Sequence, residues 1–210
     1  MQNVLILSPH TDDAELGAGG TISRLIEEGK NLFWVVFSTA EESLPEHMAP
    51  DTLKMEFIEV INHFNIKQSN FKIFDFKVRY LHLKRQEILE ELIKIRKDFK
   101  PDLVIGPSLK DHHQDHQVIA QEAVRAFKNS ASIIGYEIPW NHITFDTQLF
   151  IKLDKRHLDR KHEILQKYQS QIKLNRTYFS KDYSYGLATV RGTQCNSQYA
   201  EAFEVIRWQF

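Results

Sequence analysis

The chain runs to 210 residues, 42% hydrophobic and 26% charged, with a formal net charge of −1; it is long enough for one well-buried domain and scarcely for two. That near-neutral balance, with basic residues dispersed, excludes an electrostatic grip on nucleic acid or anionic membrane. A single cysteine, Cys195, excludes an internal disulfide and a cysteine-rich zinc site, and no stretch reaches the roughly 18 apolar residues of a membrane span.

In chain order, Asn3 to Leu7 reads as a short buried strand. Ser8-Pro9-His10-Thr11-Asp12-Asp13 follows, and Ala14 to Gly20 leads into a helix with the stripe Leu16, Ile22, Leu25 and Ile26, ended by Gly29. Asn31 to Ser38 is apolar almost throughout, as in a strand covered on both faces. Thr39 to Pro50 holds acids, prolines and no period, which marks a loop. Leu53, Phe57, Ile58 and Ile61 make a second helix, and Phe71 to Phe74 a third strand with a loop through Arg79. Ile88, Leu92, Ile95 and Phe99 mark an amphipathic helix from about His82 to Phe99, which Pro101 stops. Leu103 to Gly106 is a fourth strand, with the loop Pro107 to Asp115 after it. Val118, Ile119, Ala123, Val124 and Phe127 form the next helical stripe, and Ser132 to Gly135 a fifth strand. Beyond it, Leu149 to Leu153 and Phe203 to Arg207 read as strands, and Lys155 to Tyr168 and Lys181 to Thr189 as helical. Strands alternating with helices predict an α/β fold: a three-layer α/β/α, Rossmann-like domain with a mostly parallel sheet, one domain over residues 1–210.

Histidine is abundant. Ten occur, and His112, His113 and His116 fall within five residues. A histidine-dense tract without cysteine points to a nitrogen–oxygen metal site or to acid–base chemistry. That tract, Asp111 to His116, follows the fourth strand as Ser8 to Asp13 follows the first, so both loops emerge where parallel sheets bind ligands. Alone, the first loop has two readings: Asp12 or Asp13 caps the helix, or both belong to a site. With the first and fourth strands adjacent, His10, Asp12 and Asp13 face His113, Asp115 and His116. Two neighbouring aspartates on a tight turn do not easily aim at one ion, so one binds while the other acts as a base. Of His113 and His116, one coordinates while the other polarises an oxyanion.

The two loops resemble the zinc-dependent deacetylase family called LmbE-like or PIG-L. Its signature is a Pro-His-x-Asp-Asp turn, here Pro9 to Asp13, plus a distant His-x-Asp-His, here His113 to His116. Lys167 to Gln171 looks like the family's Ser-Gln element, and Arg191-Gly192 with Tyr199 to Phe203 like its C-terminal segment. Thr11 and Gln114 stand where the common motifs have proline, and the loop Thr39 to Pro50 lacks the glycine frequent in relatives. The resemblance implies His10, Asp13 and His116 as metal ligands, Asp12 as general base and His113 as oxyanion stabiliser. It implies a zinc cofactor, with Fe2+ or another divalent ion also accommodated by these ligands. The implied reaction removes an N-acetyl group from an N-acetylglucosamine-type amino sugar or glycoconjugate. The alternatives are an amidase on another N-acyl conjugate, a thiol-sugar or natural-product glycoside, and a non-enzymatic nucleotide-binding or regulatory α/β module.

Other residues carry two readings each. Trp140 lines a sugar pocket or packs its loop; Arg79 meets a substrate anion or lies at the surface. Asp111 and Asp115 orient the histidines or cap the helix. His112 faces solvent or donates a hydrogen bond. Gly17-Ala18-Gly19-Gly20 matches no phosphate-loop fingerprint and reads as close packing. The expected partner is a small-molecule amino sugar, with no nucleic acid and no membrane span; a homo-oligomer is compatible with the sequence. An N-terminus without a leader pattern predicts a cytoplasmic protein.

Overall fold

The structure, a computed structural model, describes residues 1–209. In β1 (Asn3–Ser8), Val4 and Ile6 point to one face and Leu5 and Leu7 to the other, all four fully buried. Strands covered on both faces lose the polar–apolar alternation of half-exposed ones. That is why β1, β2 (Asn31–Val36) and β4 (Leu103–Pro107) read as continuous apolar runs.

With β3 (Phe71–Ile73), β5 (Ser132–Tyr136), β6 (Leu149–Leu153) and β7 (Tyr199–Arg207), these strands form one sheet ordered β3-β2-β1-β4-β5-β7-β6. The first five strands are parallel; β7 runs antiparallel to both β5 and β6. One face is covered by α1 (Asp13–Glu27), α2 (Thr52–His63) and α5 (Lys155–Leu165), through Ile22, Phe57, Val60, Ile61, Ile164 and Leu165. The other is covered by α3 (Arg85–Phe99) and α4 (Gln114–Phe127), through Ile88, Leu92, Ile95, Val118, Ile119 and Ala123. The α/β/α layering and the mostly parallel sheet are those predicted. Among the described residues no helix is long and apolar enough to cross a membrane.

The C-terminal third departs from the predicted elements. The helix from Lys155 stops at Leu165, a short α6 (Gln169–Lys173) follows, and α7 (Lys181–Gln194) runs past Thr189. The last strand begins at Tyr199, four residues before the predicted Phe203, and lies inside the sheet. In its first half Ala200, Glu201 and Ala202 have little β-propensity; pairing with β6 and a buried ion pair make it a strand.

That ion pair serves α1. The helix breaks at Ala18 (φ −141°, ψ 15°), and backbone groups on both sides of the break bond to side chains of other elements. Lys161 Nζ donates to the Leu16 carbonyl and to Glu201 Oε1, both at 2.7 Å. Glu201 accepts from the N–H of Gly20 (3.0 Å) and of Thr21 (2.7 Å). A buried cation and anion thus brace the backbone on both sides of the break. A Cβ on Gly17 or Gly20 would come within 2.5 Å of Tyr136 Cδ2 or Leu153 Cδ1. The glycine tract is therefore a packing surface filled by protein, not a phosphate cradle.

Candidate active site

β1 and β4 are parallel neighbours, and the chain leaves them in opposite directions, to β2 and β3 on one side and β5 on the other. At this switch point the loop after β1 meets the loop after β4. The N–H groups of Phe37 and Ser38 donate to the carbonyls of Ser8 (3.1 Å) and Pro9 (3.0 Å), which ties the first loop to the end of β2.

Three donor atoms converge there. His10 Nδ1 and His116 Nε2 each lie 3.1 Å from Asp13 Oδ2, and 3.3 Å from each other. Bonds of about 2.0–2.1 Å at tetrahedral angles set ligand atoms about 3.3 Å apart. The triangle therefore has the size of one face of a tetrahedral zinc site. Asp13 Oδ2 also accepts from the His10 backbone N–H (2.7 Å), which fixes the carboxylate.

A second set competes on distance alone: His10, His113 and His116 each offer an atom within 4.8 Å of the others. Hydrogen bonding separates the sets. A neutral imidazole has one N–H and one lone pair. His10 Nε2 lies 3.0 Å from Asp115 Oδ2, and His116 Nδ1 lies 2.7 Å from Asp111 Oδ2. Ionised carboxylates only accept, so those nitrogens carry protons in either charge state, and once the rings are neutral, as binding an ion requires, His10 Nδ1 and His116 Nε2 hold the lone pairs toward Asp13. His113 is the reverse. Its Nδ1 accepts from the Asp115 backbone N–H (3.2 Å) as the N-cap of α4, so the proton sits on Nε2. It offers a donor, not a ligand. The set of one carboxylate and two oriented imidazoles fits a divalent ion.

Asp12 occupies the N-cap position of α1, yet its side chain makes no capping hydrogen bond. The carboxylate is half-buried in the cleft instead. Burial first, then the Asp13 charge, raise its pKa to about 6. For Asp13 burial opposes ionisation, but His116 and His10 outweigh it and hold the carboxyl well below the usual range. Burial lowers the pKa of His113 to about 4, helped by its two histidine neighbours, so the ring is neutral near pH 7. A third carboxyl, Glu15, is buried behind the turn. The Tyr168 hydroxyl lies 2.5 Å from the Thr11 carbonyl and 2.6 Å from Glu15 Oε1. It has one proton and the carbonyl only accepts, so Glu15 supplies the second proton and is neutral; burial likewise raises its pKa well above normal.

The cleft holds about 200 Å3 and is lined by His10, Asp12, Asp13, His113 and His116 with Leu16, Leu53, Val78, Asn141 and Gln171. Trp140 also lines it, 45% exposed and stacked on Tyr178 with ring centres 3.9 Å apart. Arg79 does not line it. Its side chain donates to the Glu42 carbonyl (3.3 Å) and Ser43 Oγ (3.1 Å), while its N–H, at positive φ (69°), donates to Asp115 Oδ2 (2.6 Å). Asp115 is paired with His10 and Asp111 with His116; His112 faces solvent. Arg176 and Tyr178 line the cleft without any motif to announce them. Gln171 lies in the Ser-Gln element, whose Ser170 fastens α6 to α2 by two hydrogen bonds to Glu56 (2.6 and 2.7 Å).

Residues 5–127 match the family described as PIG-L, GlcNAc-PI de-N-acetylase. The chain is 26% identical over 174 residues to the uncharacterized deacetylase YaiS of Escherichia coli (strain K12), covering 80% of this chain and 91% of that protein. Among solved structures it resembles the N,N'-diacetylchitobiose deacetylase of Pyrococcus horikoshii (TM-score 0.79, 18% identity, 98% of this chain and 84% of that one). It equally resembles GalB, the 4-carboxy-2-hydroxymuconate hydratase of Pseudomonas putida (TM-score 0.79, 20% identity, 100% and 98%). At such identities the shared property is the fold, which carries a hydratase as well as a deacetylase.

Proposed function

The chain belongs to the PIG-L deacetylase family, and from that premise we propose that it hydrolyses the N-acetyl amide of an N-acetylglucosamine-type sugar or glycoconjugate, releasing acetate and a free amine. His10, Asp13 and His116 would hold one divalent ion, zinc in the first instance, and residues 1–210 would act as one domain. The observation that carries this reading is the triangle of lone pairs oriented by Asp111 and Asp115, with Asp12 free beside it. A bound ion supplies a Lewis acid for the acetyl carbonyl and acidifies water near it.

The side chains supply the rest. Asp12 takes a proton from the attacking water, a role worth about 10²–10⁴-fold. Burial and the Asp13 charge raise its pKa in the metal-free site, while a bound dication would lower it again, which favours the base half of that role. The neutral His113 presents its Nε2–H to the oxygen that becomes negative as the carbonyl carbon turns tetrahedral, and one such donor is worth about 10²–10³ in rate. When the C–N bond breaks, the proton on Asp12 passes to the amine, so the hydroxyl of water ends on acetate and its hydrogen on the sugar nitrogen. A cleft of about 200 Å3 suits one sugar ring with its acetamide.

A panel of N-acetylhexosamine derivatives and other N-acyl glycosides, scored for amine release with and without zinc, tests this function. Hydrolysis of an acetamido sugar by the parent and not by Asp12→Asn supports it. Zinc-loaded protein that cleaves none of these amides refutes it.

A further inference from the structure

We propose that Arg176 is an anion-reading subsite of the cleft, taking a phosphate or carboxylate group carried by the substrate; the proposal rests on the deacetylase reading above. Arg176 directly precedes the one-turn helix Thr177–Phe179, is half-buried, and lines the same cleft as Asp12 and His113. Of the other half-buried arginines, Arg24, Arg85 and Arg191 pair with Glu28, Glu122 and Glu137, Arg96 donates to the Ala126 carbonyl, and Arg160 lies against the Phe64 ring. Among the described residues Arg176 has no carboxylate within ion-pair distance. A half-buried guanidinium without a counter-ion is costly unless something else supplies the charge.

The surroundings hold it in place. The guanidinium carbon lies 6.0 Å from the Tyr178 ring centre, and Tyr178 stacks on Trp140, which comes from the loop after β5. Two segments far apart in sequence thus brace one wall, and Arg176 extends from it. Among the described residues Arg176 is the one arginine or lysine lining the cleft, so an anionic substituent on a bound sugar finds a guanidinium there as its partner. Guanidinium presents parallel N–H donors that match phosphate and carboxylate oxygens alike.

The test compares zinc-loaded parent, Arg176→Gln and Arg176→Lys on three N-acetylglucosamine derivatives: the 1-phosphate, the carboxymethyl glycoside and the neutral methyl glycoside. The readout is the ratio of kcat/KM for each anionic substrate to that for the neutral one. The parent should favour at least one anionic substrate by about 10–100-fold, chiefly through KM. Arg176→Gln should lose that preference and Arg176→Lys keep part of it, and the favoured arm identifies phosphate or carboxylate. Equal ratios in parent and Arg176→Gln, or no preference in the parent, would overturn the proposal. If no derivative is hydrolysed, the deacetylase reading fails by itself. Calorimetric binding of glucose 1-phosphate against methyl glucoside then decides the subsite: weakening by about tenfold or more in Arg176→Gln supports it, and equal affinity overturns it.

Discussion

Replacing Asp111 by asparagine tests how the protein prepares a lone pair on His116. Asp111 accepts on both oxygens: Oδ2 from the His116 Nδ1–H at 2.7 Å and Oδ1 from the His113 backbone N–H at 2.8 Å. Asparagine has the same shape but keeps one acceptor, so one of these donors meets an NH2 group. If the oxygen stays with His113, the His116 proton moves to Nε2 and the lone pair facing Asp13 and His10 is lost. If it stays with His116, the turn opening α4 loses its anchor. Either way a charge-assisted hydrogen bond of about 1.5–3 kcal/mol disappears. Substitutions at such carboxylate partners weaken metal binding about 10–100-fold. Zinc affinity, measured by competition with a chromophoric chelator, should fall by that factor while the far-UV circular dichroism stays that of the parent. A dissociation constant within about twofold of the parent would refute the tautomer argument.

Asp12→Asn keeps the three ligands and removes the base, so acetate release should fall about 10²–10⁴-fold with zinc still bound by metal analysis. The same change should stabilise the metal-free protein. The folded pKa of Asp12 is raised from 3.8 to about 6, so its ionisation opposes folding fully above pH 6 and not at all below 3.8. The gain in Tm should therefore grow between pH 4 and 7, and a constant or negative difference counts against it. In the metal-free protein burial disfavours charge on His10 and His116, but Asp13, with Asp115 and Asp111, raises their pKa values to about 9 and about 10. Zinc must then displace about two protons at pH 7; calorimetry in buffers of different ionisation enthalpy counts them, and release of none contradicts the assignment. Lys161→Met leaves Glu201 buried without its cation and should cost about 3–5 kcal/mol in urea unfolding; an unchanged midpoint would show that the break in α1 needs no clamp.

The sequence made the first five strands legible because each is a short apolar run bounded by Gly, Pro or polar residues, and helical stripes lie between them. Their adjacency was legible only through topology, since periodicity does not tell which strands pair. The residues of the two loops were likewise legible as a set. Which carboxylate serves which histidine was not, because Asp111 and Asp115 both lie within five residues of His116 and far from His10 in sequence, and only the opening turn of α4 sends one to His116 and the other to His10. Asp12 sits where a cap would, and nothing local distinguishes a capping aspartate from one turned into a cleft. Arg79 follows β3 at the carboxyl edge of the sheet, yet its side chain is engaged by the loop holding Glu42 and Ser43. Arg176 and Tyr178 lie in an aperiodic stretch between α6 and α7, brought over the carboxyl edge by packing remote from them in sequence. The buried Lys161–Glu201 pair, on a helix and a strand forty residues apart, shows the same limit.

On the proposed reading, amide hydrolysis requires a divalent ion held by His10, Asp13 and His116. The most direct test strips the protein of metal with a chelator and titrates zinc back while acetate release from N-acetylglucosamine glycosides is followed. We predict no turnover in the stripped protein, and recovery that saturates at one zinc per chain in the parent and is absent in His116→Ala. Undiminished turnover after stripping, or equal recovery in His116→Ala, would contradict it.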